Sequence, residues 1–239
     1  MRSPYGFEVF EDCLNCRWKG DRFFCNLPGT ALEALNTMAF TTTFPAGSIL
    51  FSEGQQPRGI YILCHGRAKL TTASSEGKML ITHVASEGEV LGMSSAISGR
   101  PHKSTAETVE PTQVNFVKRE DFLRFLHDHG DACFRAAQQL SEECQTAENH
   151  VRSLGLSHSA AEKMANLLLS WSEENGKETD QGIRIKLMMT HQEIAQMIGT
   201  SRETVTRLLG DFKQKKIISI KGSTLLIHNR PALEAMVLL

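Results

Sequence analysis

The sequence predicts an α+β protein with an antiparallel β-roll, then a long helix, then a winged helix-turn-helix. Three patterns predict this order: brief apolar alternations broken by glycines (41–116), apolar residues spaced four and three apart (131–154), and two capped helices separated by a glycine (190–212). We therefore expect four segments, namely a cysteine-rich N-terminal segment (1–27), the β-roll domain (28–128), the long helix (129–157) and the winged helix (158–239).

Composition and charge narrow the class of protein. With 239 residues, the chain is long enough for two domains, each with its own hydrophobic core. Its 41% of apolar and 22% of charged residues are ordinary for a soluble globular protein. No stretch approaches ~20 consecutive apolar residues and no signal-peptide pattern opens the chain, so we expect a cytoplasmic protein without a membrane segment. From Arg184 onward there are 9 Lys and Arg against 4 Asp and Glu, whereas residues 1–183 hold 17 against 23. A basic end on an acidic body favours a nucleic-acid contact made by the C-terminal part.

The β-roll is predicted from several short apolar alternations with glycines between them. The clearest five are 44–51, 59–64, 68–72, 79–84 and 113–117. Many short strands at regular spacing are typical of a roll or barrel. A helix over about 27–40 precedes them, and a loop at 88–92 leads into a short helix and a strand. That loop either presents backbone N–H groups to an anion or is a plain connection.

The long helix is predicted over 131–154, after a short helix at 119–126, with Gly155 as its end. Its apolar residues follow the a/d pattern of helices that pair, and we call this set the seam. The seam consists of Cys133, Ala137, Leu140, Cys144, Ala147, Val151 and Leu154. We interpret the seam as a dimer contact with the same helix of a second chain, and the alternative is a packing face within one chain.

Residues 190–212 predict two short helices joined by a tight turn. Thr190 and Glu193 form a capping box at the start of the first helix, Gly199 ends it, and Ser201 caps the second. Ala195 is small enough for the second helix to cross closely.

The elements around this pair complete a winged helix. A helix at 159–171 and a polar loop at 175–178 come before a strand at 183–187. A hairpin formed by 217–220 and 224–227, with a glycine at its turn, follows the helix pair.

The start of the second helix presents side chains suited to reading bases. Arg202, Glu203, Thr206 and Arg207 face outward because the apolar positions between them face the core. A guanidinium donates to guanine O6 and N7, a carboxylate accepts from cytosine N4, and a hydroxyl makes a weaker contact. Together with Thr190 and Ser201 they are our candidate DNA-binding residues. The alternative is a surface helix pair with ordinary solvated charges.

The N-terminal segment carries three cysteines, Cys13, Cys16 and Cys25, within 13 residues. Thiolates this close can converge on an iron–sulfur cluster or zinc, whereas six cysteines in a cytosolic chain do not indicate a disulfide framework. The alternative is three free thiols in a segment that Trp18, Phe23 and Phe24 dock onto the body. The sequence predicts no catalytic site, because it contains neither a phosphate-binding glycine motif nor the metalloprotease motif H-E-x-x-H.

The order of β-roll, long helix and winged helix resembles the Crp/Fnr family of bacterial transcription regulators over nearly the whole chain. The strongest match lies at 183–222 and contains the recognition segment 201–207. The resemblance implies a cyclic-nucleotide-binding-like β-roll, a homodimer through the long helix, and a pseudo-palindromic operator in double-stranded DNA. It also implies an effector at the N-terminal body and RNA polymerase as a partner. Arg202 matches the cyclic-AMP-receptor pattern, so we expect a half-site nearer TGTGA than TTGAT.

The resemblance also places an effector pocket at Gly92, Met93, Lys103 and Ser104. In members that bind cyclic AMP, a glutamate for the ribose and an Arg-Ser pair for the phosphate fall at the last three positions. Methionine cannot accept the ribose hydrogen bond and lysine lacks the fork of arginine. The adenine-reading Thr-Ser pair falls on Ala147 and Glu148. We therefore expect an effector other than cyclic AMP, although an anion near Lys103 and Ser104 stays open.

The cysteine-rich terminus resembles that of the oxygen-sensing branch, where three N-terminal cysteines and one in the β-roll hold a [4Fe–4S] cluster. Here the fourth position aligns near Asn115, and the last N-terminal spacing is longer than in the best-known member. Cys64, His65 or a carboxylate would have to complete the site. The alternative is an effector site with no recognised ligand.

The sequence thus predicts a regulator, not an enzyme, whose affinity for DNA responds to an effector or redox signal at the N-terminal domain. The alternative is a ligand-binding or redox-sensing module whose winged helix serves protein interaction.

Overall fold

The computed structural model describes residues 3–10, 12–16, 23–156 and 159–237. Backbone contacts divide the chain into two compact units, residues 1–146 and 147–239, with the boundary inside the long helix. Among the described residues, no helix has both the length and the apolar character needed to cross a bilayer.

The N-terminal unit is built on two four-stranded antiparallel sheets. Its strands are β1 (Phe40–Phe44), β2 (Ile49–Phe51), β3 (Gly59–His65), β4 (Ala68–Ala73), β5 (Met79–Ala85), β6 (Val90–Leu91), β7 (Thr105–Thr108) and β8 (Thr112–Lys118). One sheet has the order β1-β8-β3-β6 and the other β2-β7-β4-β5. The helices are α1 (Gly29–Met38), α2 (Met93–Ser98), α3 (Arg119–Asp128) and the long α4 (Gly130–Leu156), and short 3-10 turns lie at Cys13–Asn15 and Phe23–Asn26. The predicted β-roll is confirmed.

Strand β3 shows how the unit forms two cores, because alternate side chains of a strand point to opposite faces. Leu63 lies in a buried cluster to which both sheets contribute. Ile60 and Ile62 lie in a second cluster, where they pack with Leu32 and Phe122 from the helices. The second cluster positions the N-terminal segment, because Phe24 is also fully buried in it.

The first predicted strand was wrong in its bounds. Residues 44–51 contain the last residue of β1 and the whole of β2, with a turn at 45–48 between the two strands. Pro45 has no N–H to donate to a sheet, and Gly47 adopts a φ of 78°, which breaks an extended strand. Phe40, expected in the preceding helix, is instead the first residue of β1.

The predicted end of the long helix at Gly155 was also wrong, since α4 continues to Leu156. Gly155 does not take the positive φ that ends a helix at Gly199. One face of α4 is buried through Ala132, Ala136 and Gln139. The Gln139 amide ties it to β6, because it donates to the Val90 carbonyl at 2.8 Å and accepts from the Val90 N–H at 3.2 Å.

Glu89, next to Val90 in the sequence, makes the stability of the N-terminal unit depend on pH. Burial by itself would raise the pKa of Glu89, but bonds to His83 Nε2 at 2.6 Å and to the Ser86 N–H and O–H at 2.9 Å hold it below its ordinary value of 4.5. A carboxyl whose folded pKa is lowered contributes stability above its unfolded pKa and loses it as the pH falls through the folded value.

We therefore expect Glu89→Gln to lower the free energy of unfolding by about 1–3 kcal/mol at pH 7 and by much less near pH 3. Urea unfolding of both proteins at the two pH values measures this difference. Glu76→Gln, in the exposed turn between β4 and β5, serves as the control. Equal destabilisation by Glu89→Gln at both pH values would contradict the expectation.

The C-terminal unit is a winged helix with an additional strand and helix. Its elements are α5 (Ala160–Asn175), β9 (Lys177–Thr179), β10 (Gly182–Lys186), α6 (His191–Ile198), α7 (Arg202–Gln214), β11 (Ile218–Lys221), β12 (Thr224–Ile227) and α8 (Arg230–Val237). The sheet has the order β11-β12-β10-β9. Its core includes Met164, Leu168, Ile194, Leu209 and Leu225. The predicted loop at 175–178 was wrong in part, because Lys177 and Glu178 pair with β10.

Candidate functional site

The two helices α6 and α7 are held by the local interactions that their sequence predicts. Thr190 Oγ1 accepts from the Glu193 N–H, and the Glu193 carboxylate accepts from the Thr190 N–H at 2.9 Å, which completes the capping box. Gly199 ends α6 with a φ of 66°, and Ser201 Oγ accepts from the Thr204 N–H at 3.2 Å. These caps fix where α7 begins and which of its side chains face solvent.

Burial on one side of α7 decides what its other side presents. Val205, Leu208, Leu209 and Phe212 are buried, and Ala195 of α6 is fully buried where the helices meet. Arg202, Glu203, Thr206 and Arg207 are all exposed. The exposed start of α7 therefore combines two guanidiniums, a carboxylate and a hydroxyl on one short surface.

The side chains on this surface are in part already positioned. The N–H of Glu203 and the Ser201 hydroxyl hold the pKa of Glu203 below its ordinary value, so it is a carboxylate at neutral pH. Thr206 Oγ1 donates to the Arg202 carbonyl at 2.9 Å and lies 2.8 Å from His191 Nδ1. The hydroxyl proton is thus used within the protein, so the methyl group and the remaining acceptor site of the oxygen are left for a base contact. Sequence reasoning did not single out His191 for this surface.

Further basic side chains of the same unit are exposed. They are Arg184, Lys186, Lys213, Lys215, Lys216 and Lys221. The charge excess after residue 183 indicated that this unit is basic, but no motif marked the individual residues. Cations of this kind bind phosphates without reading sequence.

The four expected effector-pocket residues lie at α2 and before β7. Gly92 caps α2 with a φ of 79°, and Met93 is 1% exposed in the core that the helices share with β3. Lys103 is exposed and Ser104 is half-buried. His102, beside them, is buried and stacks on Phe51 with the ring centroids 3.9 Å apart. Ala147 and Glu148, the positions corresponding to adenine recognition, are both exposed.

The seam residues lie on a different side of α4 from its buried face. At about 100° per residue, the seam is centred about a quarter-turn from Ala132, Ala136 and Gln139. Five seam residues are exposed, among them Val151 at 70%, while Leu140 and Leu154 are half-buried. An apolar stripe this exposed is unusual on a helix of a monomer.

Four cysteines line one cavity in the N-terminal unit. Cys13, Cys16, Cys25 and Cys64 surround a space of about 20 Å³, together with Asn115 and the apolar residues Phe24, Leu32, Leu35, Ile62 and Leu63. Burial raises the pKa of Cys13 to about 11, with the neighbouring Cys16 adding to it, and burial likewise raises that of Cys64. Within the described ranges, no three His, Cys, Asp or Glu side chains are arranged to hold a metal ion as they stand.

Side-chain hydrogen bonds from the sheet and from α1 anchor the start of the segment that bears three of these cysteines. The Gln113 side chain donates to the Phe10 carbonyl at 2.5 Å and accepts from its N–H at 2.9 Å. Asn36 Oδ1 accepts from the Cys13 N–H at 2.9 Å. Phe24, expected to help dock this segment onto the body, is fully buried in the core that the helices share with β3. Trp18, expected to help dock it, lies outside the described residues.

A β-roll joined through a long helix to a winged helix defines a DNA-binding transcription regulator. Residues 41–129 match the cyclic nucleotide-binding domain, and residues 162–236 match the Crp-like helix-turn-helix domain. The chain belongs to the Crp/Fnr family, as its resemblance predicted. The curated relatives that it matches over most of its length are transcription regulators and not enzymes.

Three similar proteins show the extent of the likeness. A global nitrogen regulator of Synechocystis sp. is 30% identical over 193 residues, 80% of this chain and 85% of the relative. A CRP-like cAMP-activated global transcriptional regulator of Mycobacterium tuberculosis is 24% identical over 206 residues, 86% of this chain and 92% of the relative. The structure of FixK2 from Bradyrhizobium japonicum superimposes with a TM-score of 0.73 at 23% identity, covering 83% of this chain and 96% of that one.

Proposed function

We propose that this protein is a homodimer that binds a pseudo-palindromic operator with TGTGA-like half-sites, under the control of a signal received by its N-terminal unit. The observation that carries the proposal is the exposed set Arg202, Glu203, Thr206 and Arg207 at the start of α7. A helix with this surface reads base edges when it lies in the major groove.

Each exposed residue has a distinct role in the proposal. Arg202 and Arg207 donate to guanine O6 and N7, and Glu203 accepts from a cytosine N4. Thr206 contributes a weaker contact, because its hydroxyl proton is donated to the Arg202 carbonyl. Thr190 and Ser201 place the N-termini of α6 and α7 near phosphates, which those helix ends attract.

The exposed seam of α4 supports the dimer. A pair of parallel α4 helices would bury Val151 and the small residues Ala137 and Ala147 against their counterparts. Two copies of α7 would then meet two half-sites about one helical turn of DNA, ~10 bp, apart. Recruitment of RNA polymerase at such an operator, in the cytoplasm, completes the proposed role.

The residues at the effector position argue against cyclic AMP. Met93 is buried and cannot accept a hydrogen bond from a ribose hydroxyl, and Lys103 offers a single ammonium where a fork would be needed. Lys103 and Ser104 are left as a place for an anion. We place the signal instead at Cys13, Cys16 and Cys25, whose thiol chemistry suits a [4Fe–4S] cluster.

The test is DNA binding by the full chain across a range of salt concentrations. We expect a fragment with two TGTGA-like half-sites to bind at least about 1,000-fold more tightly than random DNA. The logarithm of the affinity should fall linearly with that of the salt concentration, because Lys and Arg displace counterions from phosphates. Absence of salt-dependent DNA binding would contradict the proposal and favour a module whose winged helix contacts protein.

A further inference from the structure

The fourth cysteine of the cavity comes from the sheet and not from the N-terminal segment. Cys64 lies on β3 and lines the same space as Cys13, Cys16 and Cys25, from which it is separated by at least 38 residues. The remaining two cysteines, Cys133 and Cys144, lie on the exposed side of α4 and do not line this cavity. Four of the six cysteines therefore line one cavity, and the other two lie away from it.

A β-bulge accounts for the direction of Cys64. Leu63 pairs with Val114 and His65 pairs with Gln113, so Cys64 is an extra residue with no partner on β8. An extra residue re-aims the side chains beside it. As a result the neighbours Cys64 and His65 both face the N-terminal segment, Cys64 in the thiol cavity and His65 against the Phe7 ring at 4.4 Å.

The other candidates for a fourth ligand, Asn115 and His65, offer no sulfur and already bond to other side chains. The amide of Asn115 donates to Cys13 Sγ at 3.4 Å and its oxygen accepts from Thr41 Oγ1 at 2.8 Å. His65 Nδ1 lies 2.9 Å from a Glu87 carboxylate oxygen. The described lining of the cavity includes no carboxylate. Cys64 is the residue that offers a soft sulfur donor there.

We propose that Cys13, Cys16, Cys25 and Cys64 bind one soft-metal centre, an iron–sulfur cluster or a zinc ion, with Cys64 as the fourth thiolate. Each thiol gives up its proton to solvent as the metal binds. The present cavity has room for about one water molecule, so metal binding requires the four sulfur atoms to move apart around the metal. This inference adds a fourth ligand to the proposed signal site. It depends on the proposed function only for the claim that the metal centre controls DNA affinity.

The test is metal binding by the full-length protein, measured without DNA. Purified thiol protein is reconstituted anaerobically with iron and sulfide in one arm and with zinc in the other, then desalted. Bound iron, sulfide and zinc are quantified, and visible absorption reports thiolate-to-iron charge transfer. We expect about four irons or about one zinc per chain, and a loss of at least about tenfold in retained metal for Cys64→Ser and equally for Cys25→Ser.

Two variants serve as controls. Cys144→Ser removes a thiol outside the cavity and should retain metal like the natural chain. Asn115→Ala changes the position where the family resemblance places the fourth ligand, and this variant should also retain the metal. Circular dichroism checks that Cys64→Ser is folded. A natural chain that binds neither metal, or a folded Cys64→Ser that retains the same metal, would overturn the inference. Because DNA is absent, failure of the operator proposal would leave these readings unchanged.

Discussion

Replacing Leu140 and Val151 with aspartate is expected to give monomers that no longer bind the operator. The substitutions place carboxylates in the seam, where a partner helix would remove them from water. An unpaired buried charge costs about 3–5 kcal/mol, and a dimer would contain four. Loss of pairing separates the two copies of α7, so the contribution of the second half-site is lost. Sedimentation measures the assembly and a gel-shift titration measures the affinity.

Two further variants make this result specific to the seam. Val151→Asp alone changes a residue that is 70% exposed, so its effect does not arise from the packing of one chain, whereas Leu140 also contacts a core cluster. Gln145→Asp with Asn149→Asp adds the same charge to exposed positions on the opposite side of α4 and should leave the dimer intact. A double seam variant that still sediments as a dimer would show that the seam packs within one chain.

The second large effect is expected from Arg202→Ala. Its exposed guanidinium is proposed to make a bidentate bond to one guanine, and loss of such a contact costs about 1–3 kcal/mol of binding free energy. We expect the preference at one base pair of each half-site to relax while the other positions keep theirs. Competition between operators that carry every single-base substitution measures this.

The matched control is Lys215→Ala, which removes an exposed cation outside the start of α7. If Lys215 contacts phosphate, its loss should weaken binding equally for all sequences and reduce the salt dependence. Uniform weakening by Arg202→Ala would place Arg202 on a phosphate as well and would contradict its assignment to a base.

Much of the DNA-binding unit could be predicted because its determinants are local in sequence. The caps at Thr190 and Ser201 bond to residues three positions away, and Gly199 adopts a backbone conformation that few other residues tolerate. Helical spacing then decides which side chains of α7 face the core and which face solvent. The order of the elements along the chain is local information of the same kind.

Elements whose stability comes from distant partners were harder to predict. Strand β9 is three exposed residues, and only its pairing with β10 defines it as a strand. Helix α8 has one fully buried side chain, Leu233, which joins a core formed mainly by earlier elements. Both segments are also short, three and eight residues, so too few positions repeat for a pattern to be read from the sequence.

The sequence by itself determined the helix caps, the outward face of α7, the seam of α4 and the presence of three clustered N-terminal cysteines. Only the tertiary structure decided which residue stands fourth among those thiols. Cys64 reaches them through a bulge in the pairing of β3 with β8, and the Gln113 bond to Phe10 that holds the segment there spans 103 residues. Strand register and contacts of that range depend on the whole packed core, and no local spacing of residues specifies them.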